Sequence, residues 1–236
     1  MIQFYSPDIV TSGKLPDSES QHCCRVLRHK EGDEVYVTDG QGSRYLCRIT
    51  DANPHNTSLE ILDKVVLDDT TCCRIILAVA PTKNSDRMEW MAEKCVELGV
   101  SEIVLLKCSR SERKIMKTER LQKVMISAMK QSLGVKLPLV REITSFKQFV
   151  NSFDKCFQKF FGYCSPEFQR KEFVKEYMSG SDVIVMIGPE GDFSPEEVNL
   201  SIEAGFVPVT FGNRRLRTET ACVFAVSAVD TINQLK

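Results

Sequence analysis

No Cys-x-x-Cys occurs in this 236-residue chain, although it carries ten cysteines. Cys23-Cys24 and Cys72-Cys73 are adjacent pairs, the other six are scattered, and His22, His29 and His55 fall in no metal-ligand spacing. These absences exclude a zinc framework and a disulfide scaffold, and leave the thiols as small packed hydrophobes of a reducing compartment. No apolar run is long enough to cross a bilayer, and the start, Met1 to Asp8, lacks the basic and apolar regions of a signal peptide. A cytoplasmic protein with no membrane partner and no metal is expected. Neither sign of charge dominates: 31 Lys and Arg face 32 Asp and Glu, a net of −1. Whole-chain charge therefore does not announce a nucleic-acid binder. No Gly-x-x-x-x-Gly-Lys appears, which excludes a P-loop, and there is neither internal repeat nor low-complexity tract.

What is present divides into two rhythms. Residues 1–70 read mainly as strands, at 34–38, 44–50 and 57–66. The first two are joined by Asp39-Gly40-Gln41-Gly42, a strong hairpin sequence. One helix is expected over 18–29, opened by a capping box of Ser18 and Gln21, and a short linker over 67–71. From 71 to 236 strands alternate with helices, the pattern of an α/β fold with a parallel sheet. Strands are expected at 74–80, 102–106, 159–163, 182–187 and 207–211. Helices are expected at 86–98, 118–133, 166–178, after Ser194, and over the last segment from Thr218.

Two turns near the C-terminus are the most informative. Ile187-Gly188-Pro189-Glu190-Gly191-Asp192-Phe193-Ser194 follows an apolar β-branched run. Gly188 and Gly191 let the backbone bend and approach a ligand. Ser194, Pro195 and Glu197 form an N-cap, first helical position and capping box. Glu190, Asp192, Glu196 and Glu197 repel an anion, so a neutral or cationic ligand suits this loop, and the same residues also suit an ordinary tight turn. The second turn runs from Phe211-Gly212 through Arg214, Arg215, Leu216 and Arg217. Thr218 is placed to cap a helix whose stripe includes Ala221, Phe224, Ala225, Ala228, Val229 and Ile232. Three arginines before a buried helix read either as a solvated loop or as an anion-facing rim beside a pocket. Both turns fall at the carboxyl ends of strands, where α/β proteins bind ligands.

Positive charge is local. Lys107, Arg110, Arg113, Lys114, Lys117, Arg120 and Lys123 form one cluster, Arg25, Arg28, His29 and Lys30 a second, and Arg214, Arg215 and Arg217 a third. Each alone is compatible with a solvated face; three on one chain point to phosphate contacts.

Gly188-Pro189-Glu190-Gly191, Phe193-Ser194 and Gly212-x-Arg214-x-Leu216-Arg217-Thr218-Glu219-Thr220-Ala221 resemble the two C-terminal motifs of the ribosomal RNA small subunit methyltransferase E family, of the SPOUT class of knotted RNA methyltransferases. The likeness extends to Lys83, Asp86-Arg87-Met88-Glu89, Lys94 to Val100, Ser109 to Arg113, Gln131-Ser132 and Arg25-Val26-Leu27-Arg28. It departs at Asp192, where the family usually has Gly, at Phe211 and Arg215, at Lys130, and over 133–136.

The resemblance implies a PUA-like RNA-binding β-barrel over 1–70 and a SPOUT α/β trefoil-knot methyltransferase domain over 71–236. It further implies a homodimer, S-adenosylmethionine as cofactor, and methylation of N3 of one uridine in 16S ribosomal RNA of the small subunit. Under it, Ile187, Gly188, Pro189, Glu190, Gly191, Phe211, Gly212, Leu216, Thr218, Thr220 and Ala221 hold the cofactor. Arg217 and Glu219 serve the chemistry, and Arg25, Arg28, Arg110, Arg113, Gln131 and Arg214 contact RNA. A non-catalytic RNA-binding assembly protein and a knotted methyltransferase for another RNA site remain open at this point.

Overall fold

In a computed structural model, residues 2–66, 73–153, 156–165 and 168–235 are described; the expected linker at 67–71 lies outside them. Two compact units are present, Met1–Thr70 with Ile126–Leu137, and Thr71–Met125 with Pro138–Lys236. Among the described residues no helix is long and apolar enough to cross a membrane.

The first unit is built on a four-stranded sheet of β1 (Gln3–Tyr5), β2 (Glu34–Thr38), β3 (Ser43–Asp51) and β4 (Ser58–Val66), in that order. β1 runs parallel to β2 and the other pairs are antiparallel. Alternation along β2 and β3 sends Val35, Val37, Tyr45, Cys47 and Ile49 into a core with Phe4, Ile9 and Leu59. A four-residue helix, α1 (Ile9–Ser12), follows β1. The expected helix over 18–29 is shorter and broken. α2 (Asp17–Gln21) passes into a π-helical turn, His22–Val26. The proposed capping box does not form: Pro16 is the N-cap, and the Gln21 amide donates to Asp17 Oδ2 at 2.8 Å instead.

The second unit carries a seven-stranded sheet. Its strands are β5 (Ile75–Val79), β6 (Glu102–Lys107), β7 (Leu139–Ser145), β8 (Gln158–Gly162), β9 (Lys171–Glu172), β10 (Val183–Ile187) and β11 (Val207–Thr210), in the spatial order 7-6-5-10-8-11-9. Every pair in it is parallel. β5 and β10 are buried along their whole length, as continuous β-branched runs require when both faces are covered. On one face Ile76, Ala78, Ile184 and Met186 meet Phe146 and Phe149 of α5 (Phe146–Val150) and Val198 of α7 (Pro195–Glu203). The opposite face is packed by α8 (Thr218–Gln234), which touches β5, β10 and α3 (Ser85–Glu97).

α4 (Thr118–Gln131) buries Leu121, Met125, Ala128 and Met129, one stripe at helical spacing. The expected helix over 166–178 is corrected. Among its described residues the chain forms β9 and then only α6 (Phe173–Glu176), because Lys171–Glu172 pair with Val209–Thr210 at the sheet edge. β7 and α5 carry no expectation from sequence; the β7 pattern is mostly exposed and its alternation weak.

Candidate functional site

The parallel sheet delivers three chain reversals to one end of the second unit. After β10 the chain turns at Gly188, where a Cβ would sit 3.2 Å from the Phe193 ring, a tight contact that the ring would have to shift to relieve. Phe193 is buried between the Phe146 and Phe161 rings, with centroids 5.5 and 5.9 Å away. Asp192 N–H donates to the Pro189 carbonyl at 2.9 Å, closing a tight turn. Asp192 itself has φ 62°, the left-handed geometry that Asp adopts more readily than most residues. Its carboxylate accepts from Phe193 N–H and from Cys164 N–H, each at 2.9 Å. The expected capping box follows: Ser194 Oγ accepts from Glu197 N–H at 3.3 Å, and Glu197 Oε2 from Ser194 N–H at 2.9 Å. Glu197 Oε1 also accepts from Ser109 N–H at 2.7 Å.

The second loop leaves β11 through Phe211 and Gly212, the latter at φ 108°. Arg217, with extended backbone, is the N-cap of α8. Thr218, expected as the cap, is the first helical residue, and its hydroxyl donates to the Gly188 carbonyl at 3.2 Å, tying the two loops together. Beneath them, Gly162 at the end of β8 lies so close that a Cβ would meet the Phe211 ring at 2.7 Å and Ile187 at 3.2 Å.

These segments enclose a cleft of about 800 Å³. Ile187, Gly188, Pro189, Glu190, Phe211, Gly212, Leu216, Thr218 and Ala221 line it, together with Arg214, Arg217 and Glu219. Two residues expected there lie elsewhere. Gly191 faces the Arg110 stem, whose Cβ a side chain at 191 would meet at 3.5 Å, and Thr220 lines a groove on the outer side of α8. Sequence reasoning missed Arg87, Tyr163, Cys164 and Arg170, while Arg215 falls on the expected arginine rim. None has a local signature, because α3 and the end of β8 reach the cleft only through the packing of the sheet. Glu219 faces Arg87, whose Nε is 3.6 Å from its Oε1; only 9% of the Glu219 side chain is exposed.

The cleft's electrostatics also differ from the acidic lining expected. Glu190, Asp192 and Glu219 are outnumbered by Arg87, Arg170, Arg214, Arg215 and Arg217. Position resolves the mixture. Two of the acids sit on the loop after β10, whereas three arginines occupy 214–217 at the rim. Arg170 is engaged with the carbonyls of Tyr163 (3.2 Å) and Cys164 (3.1 Å). Among the described residues the Arg214 and Arg217 side chains have no ion-pair or hydrogen-bond partner, and both residues are exposed. Burial, then the Asp192 carboxylate, pushes the Cys164 thiol up, which keeps it a neutral thiol rather than a nucleophile.

The remaining expected RNA contacts belong partly to the first unit and partly to the second. Arg25 Nη2 lies 3.1 Å from His55 Nε2, and Arg28 is exposed with φ 60°. Gln131 is exposed at the end of α4. Arg113 donates to Ser85 Oγ at 3.0 Å and to the Ile115 carbonyl at 3.3 Å. Arg110 Nη1 donates to the carbonyls of Gly191 (2.8 Å) and Phe193 (3.2 Å).

Comparison with known proteins places this arrangement in context. The family described as RNA methyltransferase domain matches residues 69–230, and the one described as RNA methyltransferase PUA domain matches residues 15–62. A crystal structure of a probable rRNA-methyltransferase from Porphyromonas gingivalis superposes with a TM-score of 0.95 at 40% identity, covering 100% of this chain and 99% of that one. The Neisseria gonorrhoeae ribosomal RNA small subunit methyltransferase E, crystallised with S-adenosyl methionine, gives a TM-score of 0.86 at 30% identity, covering 98% and 97%. The Bacillus subtilis protein named ribosomal RNA small subunit methyltransferase E is 28% identical over 233 residues, 94% of this chain and 90% of that protein.

Proposed function

This chain belongs to the ribosomal RNA small subunit methyltransferase E family of RNA methyltransferases, and we propose from that premise that it moves a methyl group from S-adenosylmethionine to N3 of one uridine in 16S ribosomal RNA. The observation that carries the reading is the shared cleft: the loops after β8, β10 and β11 and the start of α8 enclose one pocket, tied by Thr218 and Gly188. Its volume suits a ligand of nucleoside size. The lining fits such a group, since Gly162, Gly188 and Gly212 bring no side chain to the cleft they line.

In this reading S-adenosylmethionine supplies an electrophilic methyl on a sulfonium. The protein's own part begins with the nucleophile. Uridine N3 carries a proton and attacks well only once it is lost. Arg217, exposed and unengaged on the rim, is assigned to face O2 or O4 and stabilise the charge that develops there. Glu219 is a candidate proton acceptor, but its contact with Arg87 favours a holding role for that guanidinium. Rigid loops contribute by orientation, since a preset cleft removes much of the entropy cost of bringing two reactants together.

The same reading makes the segments 188–193 and 216–221 the loops of a trefoil knot, and the first unit a PUA-like barrel whose cations Arg25 and Arg28 grip phosphates. Arg113, Gln131 and Arg214 are assigned further RNA contacts. It also makes the protein a cytoplasmic homodimer. What supports a dimer is the outer face of α8. Phe224, expected in the core stripe, is 37% exposed and lines a groove with Trp90, Val174, Ala228 and Ile232. Nucleoside mass spectrometry of 16S ribosomal RNA from a strain lacking the protein tests the assignment: loss of a single 3-methyluridine, restored by the purified protein with S-adenosylmethionine, is expected, and an unchanged nucleoside profile rejects it.

A further inference from the structure

The geometry points to a two-sided clamp on the cofactor loop, with Arg110 and Asp192 as its jaws, and so to Arg110 as a cofactor-positioning residue rather than a phosphate ligand. The inference rests on the reading of the cleft as the S-adenosylmethionine site and adds two residues to it.

On one side, Arg110 follows β6, and its methylene stem faces Gly191, where an added Cβ would meet Arg110 Cβ and Cδ at 3.5 and 3.6 Å. From there one guanidinium nitrogen donates to two loop carbonyls, those of Gly191 and Phe193. Hydrogen bonds from a charged donor are stronger than neutral ones and hold their acceptors in place. The neighbouring residue reinforces the attachment, because Ser109 N–H donates to Glu197 Oε1, the same carboxylate that closes the capping box after the loop.

On the other side, the Asp192 carboxylate reaches across the cleft wall to Cys164 N–H while also accepting from Phe193 N–H. It thereby joins the loop after β10 to the loop after β8, and its left-handed backbone is held by these bonds and the Pro189 turn. With a jaw on each flank, the segment from Gly188 to Phe193 is fixed before any ligand arrives. A binding loop that is already ordered spends less of its interaction energy on ordering. A phosphate ligand, by contrast, would keep its guanidinium free for solvent or nucleic acid, as Arg214 and Arg217 do.

The test is calorimetric titration of S-adenosylhomocysteine into the full-length parent, Arg110→Ala, Asp192→Gly and the double variant, with 16S ribosomal RNA binding measured for the same proteins across a salt series. Glycine at 192 permits the left-handed backbone, so that variant removes the staple without adding strain. Each single variant is expected to weaken cofactor binding about tenfold, with the combined loss smaller than the product because both hold one loop. Asp192→Asn, which keeps an acceptor and tolerates the same φ, is expected to recover most of the affinity. The salt slope of RNA binding is expected to match the parent's in Arg110→Ala. Parent-like cofactor affinity in Arg110→Ala, or a salt slope reduced by about one ion, overturns the clamp. A parent that takes up no S-adenosylhomocysteine defeats the reading of the cleft itself, a result distinct from either.

Discussion

Arg217 and Glu219 are two residues apart on the chain and differ in what surrounds them. Arg217 is exposed at the helix start with no partner among the described residues, whereas Glu219 is buried against Arg87. Arg217→Ala is therefore expected to lower the single-turnover methylation rate by about a hundredfold while leaving cofactor affinity intact. In the same assay Glu219→Gln is expected to reduce the rate without changing the shape of the pH–rate profile, because a group that only holds Arg87 contributes no titration; loss of one limb would make it the proton acceptor. These residues were legible in sequence as chemistry-bearing types beside a glycine turn. The contact of Glu219 with Arg87 was not, since Arg87 lies on another helix 132 positions upstream, and only the packing of α3 on α8 brings it near.

Among the elements, α4 shows how a local pattern acquires a distant purpose. Its periodicity predicts the helix well, with residues 118–133 expected and Thr118–Gln131 observed. Yet its last turns, from Ile126, and the loop to Leu137 group with the first unit. Lys130 departs from the family pattern, and the structure supplies a reason: its ammonium lies 2.6 Å from Glu19 Oε1, the side chains being only 15% and 12% exposed. Nearby, the Gln3 amide donates to the Gly134 carbonyl at 2.7 Å and Gly42 N–H to the Val135 carbonyl at 2.9 Å, so the departure at 133–136 also makes contacts within this unit. Removing one member of a buried pair leaves an uncompensated charge. Lys130→Ala is expected to cost about 3 kcal/mol in urea unfolding of this unit, and Lys130→Met with Glu19→Gln to recover much of it; equal midpoints for Lys130→Ala and parent would make the pair idle.

For the molecule as a whole, two surfaces carry the expectations. Replacing Arg25 and Arg28 with glutamine is expected to weaken 16S ribosomal RNA binding and to lower the magnitude of its salt slope by about two, with S-adenosylmethionine affinity unchanged. Phe224→Glu places a charge on the outer face of α8 and is expected to shift sedimentation from dimer to monomer; an unaltered sedimentation coefficient would move the interface elsewhere. Sequence alone determined the alternation of strands and helices, the hairpin at 39–42, the capped start of α7 and the two glycine-bearing turns, because each depends on backbone preferences and hydrophobic period within a dozen residues. Tertiary structure alone decided the strand order that inserts β10 between β5 and β8, the arrival of Arg87, Arg170 and Cys164 at the cleft, and which side of α8 faces outward. Those outcomes depend on contacts between residues far apart in the chain, whose energies no local pattern encodes.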